Sequence, residues 1–305
     1  MPDQSGRTVV VTGANSGLGY EATRAFAERG AHVIMACRSL DRARTARDEI
    51  RAAVPGASLT VRELDLADLA SIRSFAERVE TEAAGIHGLC NNAGVMAVPR
   101  SETADGFETQ FGVNHLGHVA LTAGLLDALR RTPGETRVVT QSSGVHERGE
   151  IDFADLQGEA EYDKWAAYAQ SKLANVLFAY ELDRRLRAAR ASVTSVACHP
   201  GYAATNLQRR GPEREGSRLR LWLIRASNAL FAQSPRRGAL PLLYAATASD
   251  VDGGEYVGPG GFLNMRGAPE TQDSSDRSYD RETARRLWTV SEDLTRVEFD
   301  LPEPS

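Results

Sequence analysis

Val9-Val10-Val11-Thr12-Gly13-Ala14-Asn15-Ser16-Gly17-Leu18-Gly19, followed by a helical pattern from Tyr20 to Arg29, is the stretch whose reading decides the fold. A β-branched run, a turn with glycines at 13, 17 and 19 and the start of a helix follow one another without interruption. Glycines at those places let the backbone adopt conformations that a Cβ forbids, so amide N–H groups and the positive helix end can face a diphosphate at close range. A dinucleotide site is the natural reading. Its spacing is Gly-x3-Gly-x-Gly rather than the commoner Gly-x-Gly-x-x-Gly.

Outward from that turn, strand-like runs alternate with longer helical patterns. The strands are expected at Thr8 to Thr12, His32 to Cys37, Ser58 to Leu64, Ile86 to Asn91, Arg137 to Ser142 and Ser192 to His199, with a short seventh near Gly254-Glu255-Tyr256-Val257. Strands separated by helices imply an α/β fold, a Rossmann-type doubly wound parallel sheet flanked by helices in a single domain over residues 1–305. Helix starts are marked by Ser39 before Leu40-Asp41, by Asp65 to Asp68 before Leu69, and by Ser234 with Pro235 at the first helical position. A final helix is expected around Glu282 to Leu294, within a C-terminal extension over residues 258–305.

Composition narrows the class. The chain has 305 residues, 42% hydrophobic and 25% charged, which is ordinary for a soluble globular protein. Its 36 Lys and Arg are scattered among 41 acids for a net charge of −5, so no basic field concentrates to hold nucleic acid. No window approaches the roughly 18 uncharged apolar residues of a membrane span, and the N-terminus has no apolar signal region. A cytoplasmic protein is expected. Cys37, Cys90 and Cys198 each end an apolar run, which suits buried free thiols.

Further motifs fall at the carboxyl ends of the expected strands. Tyr168 and Lys172 stand four apart in a segment rich in helix formers, so they share one helical face. An ammonium beside a phenol is expected to lower the phenol's pKa and bring it within reach of acid–base work. Ser143 ends a strand where a hydroxyl could bond a substrate oxygen, whereas Ser142 reads as a turn or cap serine.

With these residues in hand, the chain resembles the short-chain dehydrogenase/reductase family, and within it the retinol-dehydrogenase-like branch. The residues that carry the resemblance are Thr12 to Gly19, Asn91-Asn92-Ala93-Gly94, Asn114 in Val113-Asn114-His115, Ser143, Tyr168 with Lys172, and Pro200-Gly201 with Thr205. The resemblance implies Tyr168 as general acid/base, Lys172 lowering its pKa and holding the nicotinamide ribose, Ser143 orienting the carbonyl or alcohol oxygen, and Asn114 sustaining a water-linked proton relay. It further implies a cofactor site built from Gly13, Asn15, Ser16, Gly17, Leu18 and Gly19, with Asp65 and Leu66 at the adenine. Asn91, Ala93 and Gly94 would support the adenosine pocket, and Pro200, Gly201 and Thr205 would clamp the nicotinamide amide. The branch rests on Asp152-Phe153-Ala154-Asp155-Leu156, Ser171-Lys172-Leu173-Ala174-Asn175 and Gly253-Gly254-Glu255-Tyr256.

Cofactor choice can be argued physically. An NAD site places an acid at the end of the second strand to hold the ribose hydroxyls. Cys37 occupies that place and Arg38 follows it, so a guanidinium stands ready for the 2′-phosphate of NADP, with Arg42 as support; NADP(H) is expected ahead of NAD(H). His115 and His118 have the spacing of two ligands on a helical face, but no third ligand accompanies them, and no metal is expected. Residues 206–233 mix arginines with Leu219, Trp222 and Leu223 and are read as a lid over an apolar substrate, with a membrane-surface helix as the alternative.

The expected activity is interconversion of a carbonyl and an alcohol on a fairly apolar small molecule. The rivals are a reductase of a conjugated C=C bond of the protochlorophyllide type, which shares the strand text His32-Val33-Ile34-Met35-Ala36-Cys37-Arg38, and a non-catalytic NADP-sensing protein. The assembly stays open between homodimer and homotetramer.

Overall fold

Val9, Val10 and Val11 divide between two separate cores, and that division explains the architecture. In the computed structural model, which describes residues 1–201, 234–261 and 264–304, Val10 packs with Ile34, Ile72, Phe75, Leu121 and Leu125, while Val9 and Val11 pack with Ala22, Phe26, Met35 and Ile50. Successive strand residues point to opposite faces, so an unbroken apolar run is what a strand covered on both faces requires.

The strands are β1 (Thr8–Thr12), β2 (His32–Cys37), β3 (Ser58–Glu63), β4 (Gly88–Asn91), β5 (Thr136–Gln141), β6 (Val193–Cys198), β7 (Tyr256–Pro259) and β8 (Pro269–Gln272). They form one eight-stranded sheet in the order β3-β2-β1-β4-β5-β6-β7-β8. All neighbours pair in parallel except β7 and β8, which are antiparallel. The order reverses between β1 and β4, and the carboxyl ends of these two strands flank the crevice where such sheets bind ligands.

Helices α1 (Gly17–Glu28) and α2 (Leu40–Ala53) and the later α6 (Leu240–Thr247) cover one face. The other face is covered by α3 (Leu69–Glu82), α4 (Gly117–Arg131), α5 (Lys164–Ala188) and α7 (Arg281–Thr295). Helix starts follow the capping chemistry of their residues: Asp68 accepts from Ala70 N and Ser71 N, and Ser234 accepts from Arg237 N. Ser39 holds the cap position of α2 without a side-chain bond. The three cysteines are buried free thiols.

The C-terminal segment belongs to the same body. Strand β7 runs on through Pro259, β8 extends the sheet, and α7 lays Ala284, Leu287 and Trp288 against the core, with Trp288 stacked on Phe178 at 5.6 Å between ring centroids. No described helix is long and apolar enough to cross a membrane.

Candidate active site

At the end of β1 the chain turns through Gly13 (φ +67°) and Gly17 (φ +57°), a left-handed conformation that favours glycine. Gly19 has a steric rather than a torsional reason: a Cβ there would lie 2.4 Å from Gly13 O and 2.6 Å from Asn92 Nδ2. Helix α1 starts without a side-chain cap and has no acid in its first turn, so its leading amides remain available to an anion. Asn15, Ser16 and Leu18 are half-buried along this turn. A closely approached glycine cradle under an uncapped helix N-terminus fits a dinucleotide diphosphate.

A threonine and an asparagine that carried no assigned role hold the cradle in place. The Thr12 hydroxyl accepts from both Asn92 N and Ala93 N at 2.9 Å, and Asn92 Nδ2 donates to Thr12 O at 2.8 Å. These bonds tie the ends of β1 and β4 together across the crevice. Asn91 is fully buried and donates from Nδ2 to Thr122 Oγ1 at 2.9 Å, so it supports the crevice from behind. At the end of β2, Cys37 is buried, and burial pushes its thiol up to about 11. Arg38 is exposed beside it, and among the described residues neither Arg38 nor Arg42 forms an ion pair. Beyond β3, Asp65 Oδ1 accepts from Ala67 N at 3.0 Å, and Leu66 is buried.

The second group of residues converges from β5, α5 and the turn before α4. Asp163 caps α5 by accepting from Trp165 N at 2.9 Å and Ala166 N at 2.7 Å, which sets the helix that carries Tyr168 and Lys172. Both side chains are buried. Ser143, just past the end of β5, stands close enough to the Tyr168 phenol to oppose the rise that burial imposes on its pKa. Lys172 Nζ lies 5.9 Å from the Tyr168 ring centroid and donates to Gln141 O at 3.1 Å. A Cβ built on Gly94 would stand 3.6 Å from Lys172 Nζ and 2.8 Å from Asn114 Oδ1, so the β4 and β5 sides of the crevice meet at this lysine. Ser142 takes the structural part its position suggested: its hydroxyl donates to Lys172 O at 2.7 Å.

Asn114 sits in a π-helical turn, Gly112–Leu116, an irregularity often found at functional sites. Its Nδ2 donates to Val95 O and Ser171 Oγ, both at 2.9 Å, and its Oδ1 accepts from Val95 N at 2.8 Å. The Asn114 main-chain carbonyl oxygen lies 3.0 Å from His118 Nδ1. The carbonyl can only accept, so Nδ1 carries the proton. Nε2, 3.0 Å from Thr12 Oγ1, is then the acceptor of the threonine hydroxyl. His118 thus links the glycine turn to Asn114, and burial lowers its pKa to about 4. His115 pairs through Nε2 with Ser291 Oγ at 2.9 Å. Among the described residues no group of three or more His, Cys, Asp or Glu is placed to hold a metal ion.

One electrostatic expectation is corrected. The phenol of Tyr168 is not acidified; burial raises it to about 12, with Ser143 opposing. Lys172 is itself lowered to about 8 by burial. The physical reason is desolvation: both groups lie in the interior, and the ammonium is directed at the Gln141 carbonyl rather than at the phenolic oxygen. Pro200 and Gly201 follow β6, with Gly201 at φ +64° against Met265 O. Thr205 and the expected lid over residues 206–233, Trp222 included, lie outside the described residues.

Known proteins agree with this geometry. A family model described as short chain dehydrogenase matches residues 7–216. Retinol dehydrogenase 12 of Mus musculus is 42% identical over 297 residues, covering 97% of this chain and 88% of its own length. A crystal structure of an uncharacterized protein from Mycobacterium paratuberculosis superposes with a TM-score of 0.80 at 42% identity, covering 99% of this chain and 97% of that one. A protein described as an NAD(P)-dependent gluconate 5-dehydrogenase, from Beutenbergia cavernae and solved with NADP bound at low occupancy, is 29% identical with a TM-score of 0.63, covering 83% and 95%. The glycine cradle, the Ser143, Tyr168 and Lys172 constellation and these matches lead to one conclusion: the chain belongs to the short-chain dehydrogenase/reductase family, in its retinol-dehydrogenase-like branch.

Proposed function

We propose that this protein is an NADP(H)-dependent oxidoreductase that interconverts a carbonyl and an alcohol on a fairly apolar small molecule. The observation that carries the reading is the convergence of half-buried Ser143 with buried Tyr168 and Lys172 at the mouth of the glycine cradle. The relatives named as retinol dehydrogenases support the same chemistry.

When bound, NADP(H) supplies or accepts the hydride. Gly13, Asn15, Ser16, Gly17, Leu18 and Gly19 would hold its diphosphate, Asp65 and Leu66 its adenine, and Asn91, Ala93 and Gly94 the adenosine side, with Pro200, Gly201 and Thr205 at the nicotinamide amide. Arg38 would take the 2′-phosphate: it is exposed, and Cys37 offers no carboxylate to repel that phosphate. A solved relative holding NADP at low occupancy is consistent with NADP binding.

Tyr168 donates its phenolic proton to the substrate oxygen, and Ser143 Oγ hydrogen-bonds the same oxygen. A phenol raised to about 12 is protonated at neutral pH, the state that carbonyl reduction needs. Lys172 holds positive charge beside the ribose end of the crevice, and Asn114 braces the turn at Val95. Trp165, 50% exposed and edge-on to Tyr168 at 6.4 Å between centroids, offers an apolar surface beside the acid.

The test is loss of NADPH absorbance with a panel of aldehydes and ketones from short to long chain, repeated with NADH. The reading expects turnover that improves with apolar bulk and a preference for NADPH. An enzyme that oxidises neither cofactor with any carbonyl refutes it, and turnover confined to conjugated C=C bonds transfers the assignment to the reductase alternative.

A further inference from the structure

The motif Gly253-Gly254-Glu255-Tyr256 supports the branch assignment but has no part in the site as described so far. Its tyrosine lies beneath the catalytic turn. Tyr256 and His146 are both buried, with ring centroids 5.1 Å apart and Tyr256 Oη 3.2 Å from His146 Nδ1. His146 Nδ1 is also 2.8 Å from Ser143 O, which accepts in addition from the His146 main-chain N at 3.0 Å. On the far side of the ring, Ser275 N donates to His146 Nε2 at 3.1 Å.

Proton accounting decides the state of this ring. A backbone N–H can only donate, so Nε2 carries a lone pair; a carbonyl can only accept, so Nδ1 carries the proton. The ring is therefore neutral, with its one N–H aimed at Ser143 O and branching to Tyr256 Oη. The network joins the carbonyl of Ser143 and the Tyr256 hydroxyl to the C-terminal segment at Ser275.

We infer that His146, as the neutral Nδ1–H imidazole anchored on Ser275, is a positioning residue that fixes the Ser143 turn against Tyr168. The inference rests on the carbonyl-reduction reading above, in which Ser143 meets the substrate oxygen. Displacing a positioned group by about 1 Å costs on the order of 10²-fold in rate, so the effect falls on turnover and not on cofactor affinity.

Two isosteric substitutions separate the two ends of the ring. Asn places an N–H donor near the position of Nδ1, whereas Gln places an acceptor near Nε2 and leaves Ser143 O without its side-chain donor. His146→Asn should retain turnover within about threefold, and His146→Gln should lose roughly ten- to a hundredfold in kcat, with NADPH Kd and melting temperature close to wild type in both. Histidine ¹⁵N NMR of the whole protein reads the tautomer directly, with the His146 signal assigned by its absence from His146→Asn. Protonated Nδ1 and bare Nε2 are expected. A protonated Nε2, a His146→Gln enzyme as fast as wild type, or an equal loss in both variants overturns the inference. A wild-type protein that reduces no carbonyl overturns the functional reading beneath it, a result the NMR tautomer distinguishes from a misplaced His146.

Discussion

Replacing Lys172 with Met should make the protein more stable and less active at once. The lysine is buried, and its pKa falls from 10.5 to about 8. The unfolded chain therefore binds the proton more tightly than the folded one. Each pKa unit corresponds to about 1.4 kcal/mol, so keeping this ammonium charged inside the fold costs about 3 kcal/mol. That cost is full below about pH 8, shrinks as pH rises, and is gone above about pH 10.5, where the lysine is neutral in both states. Met has nearly the volume of Lys and no charge. It also strands no polar group: Gln141 O loses Lys172 Nζ but keeps Asn175 Nδ2 at 3.0 Å. Urea denaturation of the cofactor-free protein should show Lys172→Met more stable than wild type by about 1–3 kcal/mol near neutral pH, with the gap closing toward about pH 10.5. Turnover and NADPH affinity should both fall. A variant that is less stable than wild type, or a gap that ignores pH, would refute the claim that this charge is held at a desolvation cost for function.

Other consequences follow from the cradle. Gly19→Ala puts a Cβ 2.4 Å from Gly13 O, so NADPH titration should show at least about tenfold weaker binding, and a thermal melt should show a loss of about 1–3 kcal/mol. Combined Cys37→Asp and Arg38→Ser should move the ratio of NADPH to NADH dissociation constants by roughly ten- to a hundredfold toward NADH, since a charge-assisted bond is lost and a repelling carboxylate gained. Equal wild-type affinities for the two cofactors would remove the premise.

What the residues disclosed before any coordinates, and what they withheld, follows a physical division. Local signals were legible: Val9-Val10-Val11 and the glycines after it marked a strand and a turn because backbone freedom is written in residue type, and the parallel strands lie within a residue or two of their expected bounds. That Tyr168 and Lys172 share one helical face was legible from their spacing, whereas the roles expected of them came from the family resemblance. Their electrostatics were not, since desolvation depends on what covers a group, and burial of the pair reversed the expected shift of the phenol. Strand β8 escaped notice because Pro269-Glu270-Thr271-Gln272 is short and polar and owes its conformation to pairing with β7. The hydrogen bonds of Thr12, Asn92, His118 and His146 were not legible for a related reason: each joins segments far apart in the chain, such as Thr12 with Asn92 or His146 with Ser275.

The proton donor is the point on which the functional account turns. NADPH-dependent reduction of a long-chain aldehyde should be timed for wild type and Tyr168→Phe, with NADPH affinity titrated in parallel. Phe keeps the buried ring and its contact with Trp165 while removing the phenolic oxygen beside Ser143. Turnover is expected to fall by roughly 10² to 10⁴, with cofactor affinity changed by no more than about twofold. Near-normal turnover in the phenylalanine variant would contradict the account.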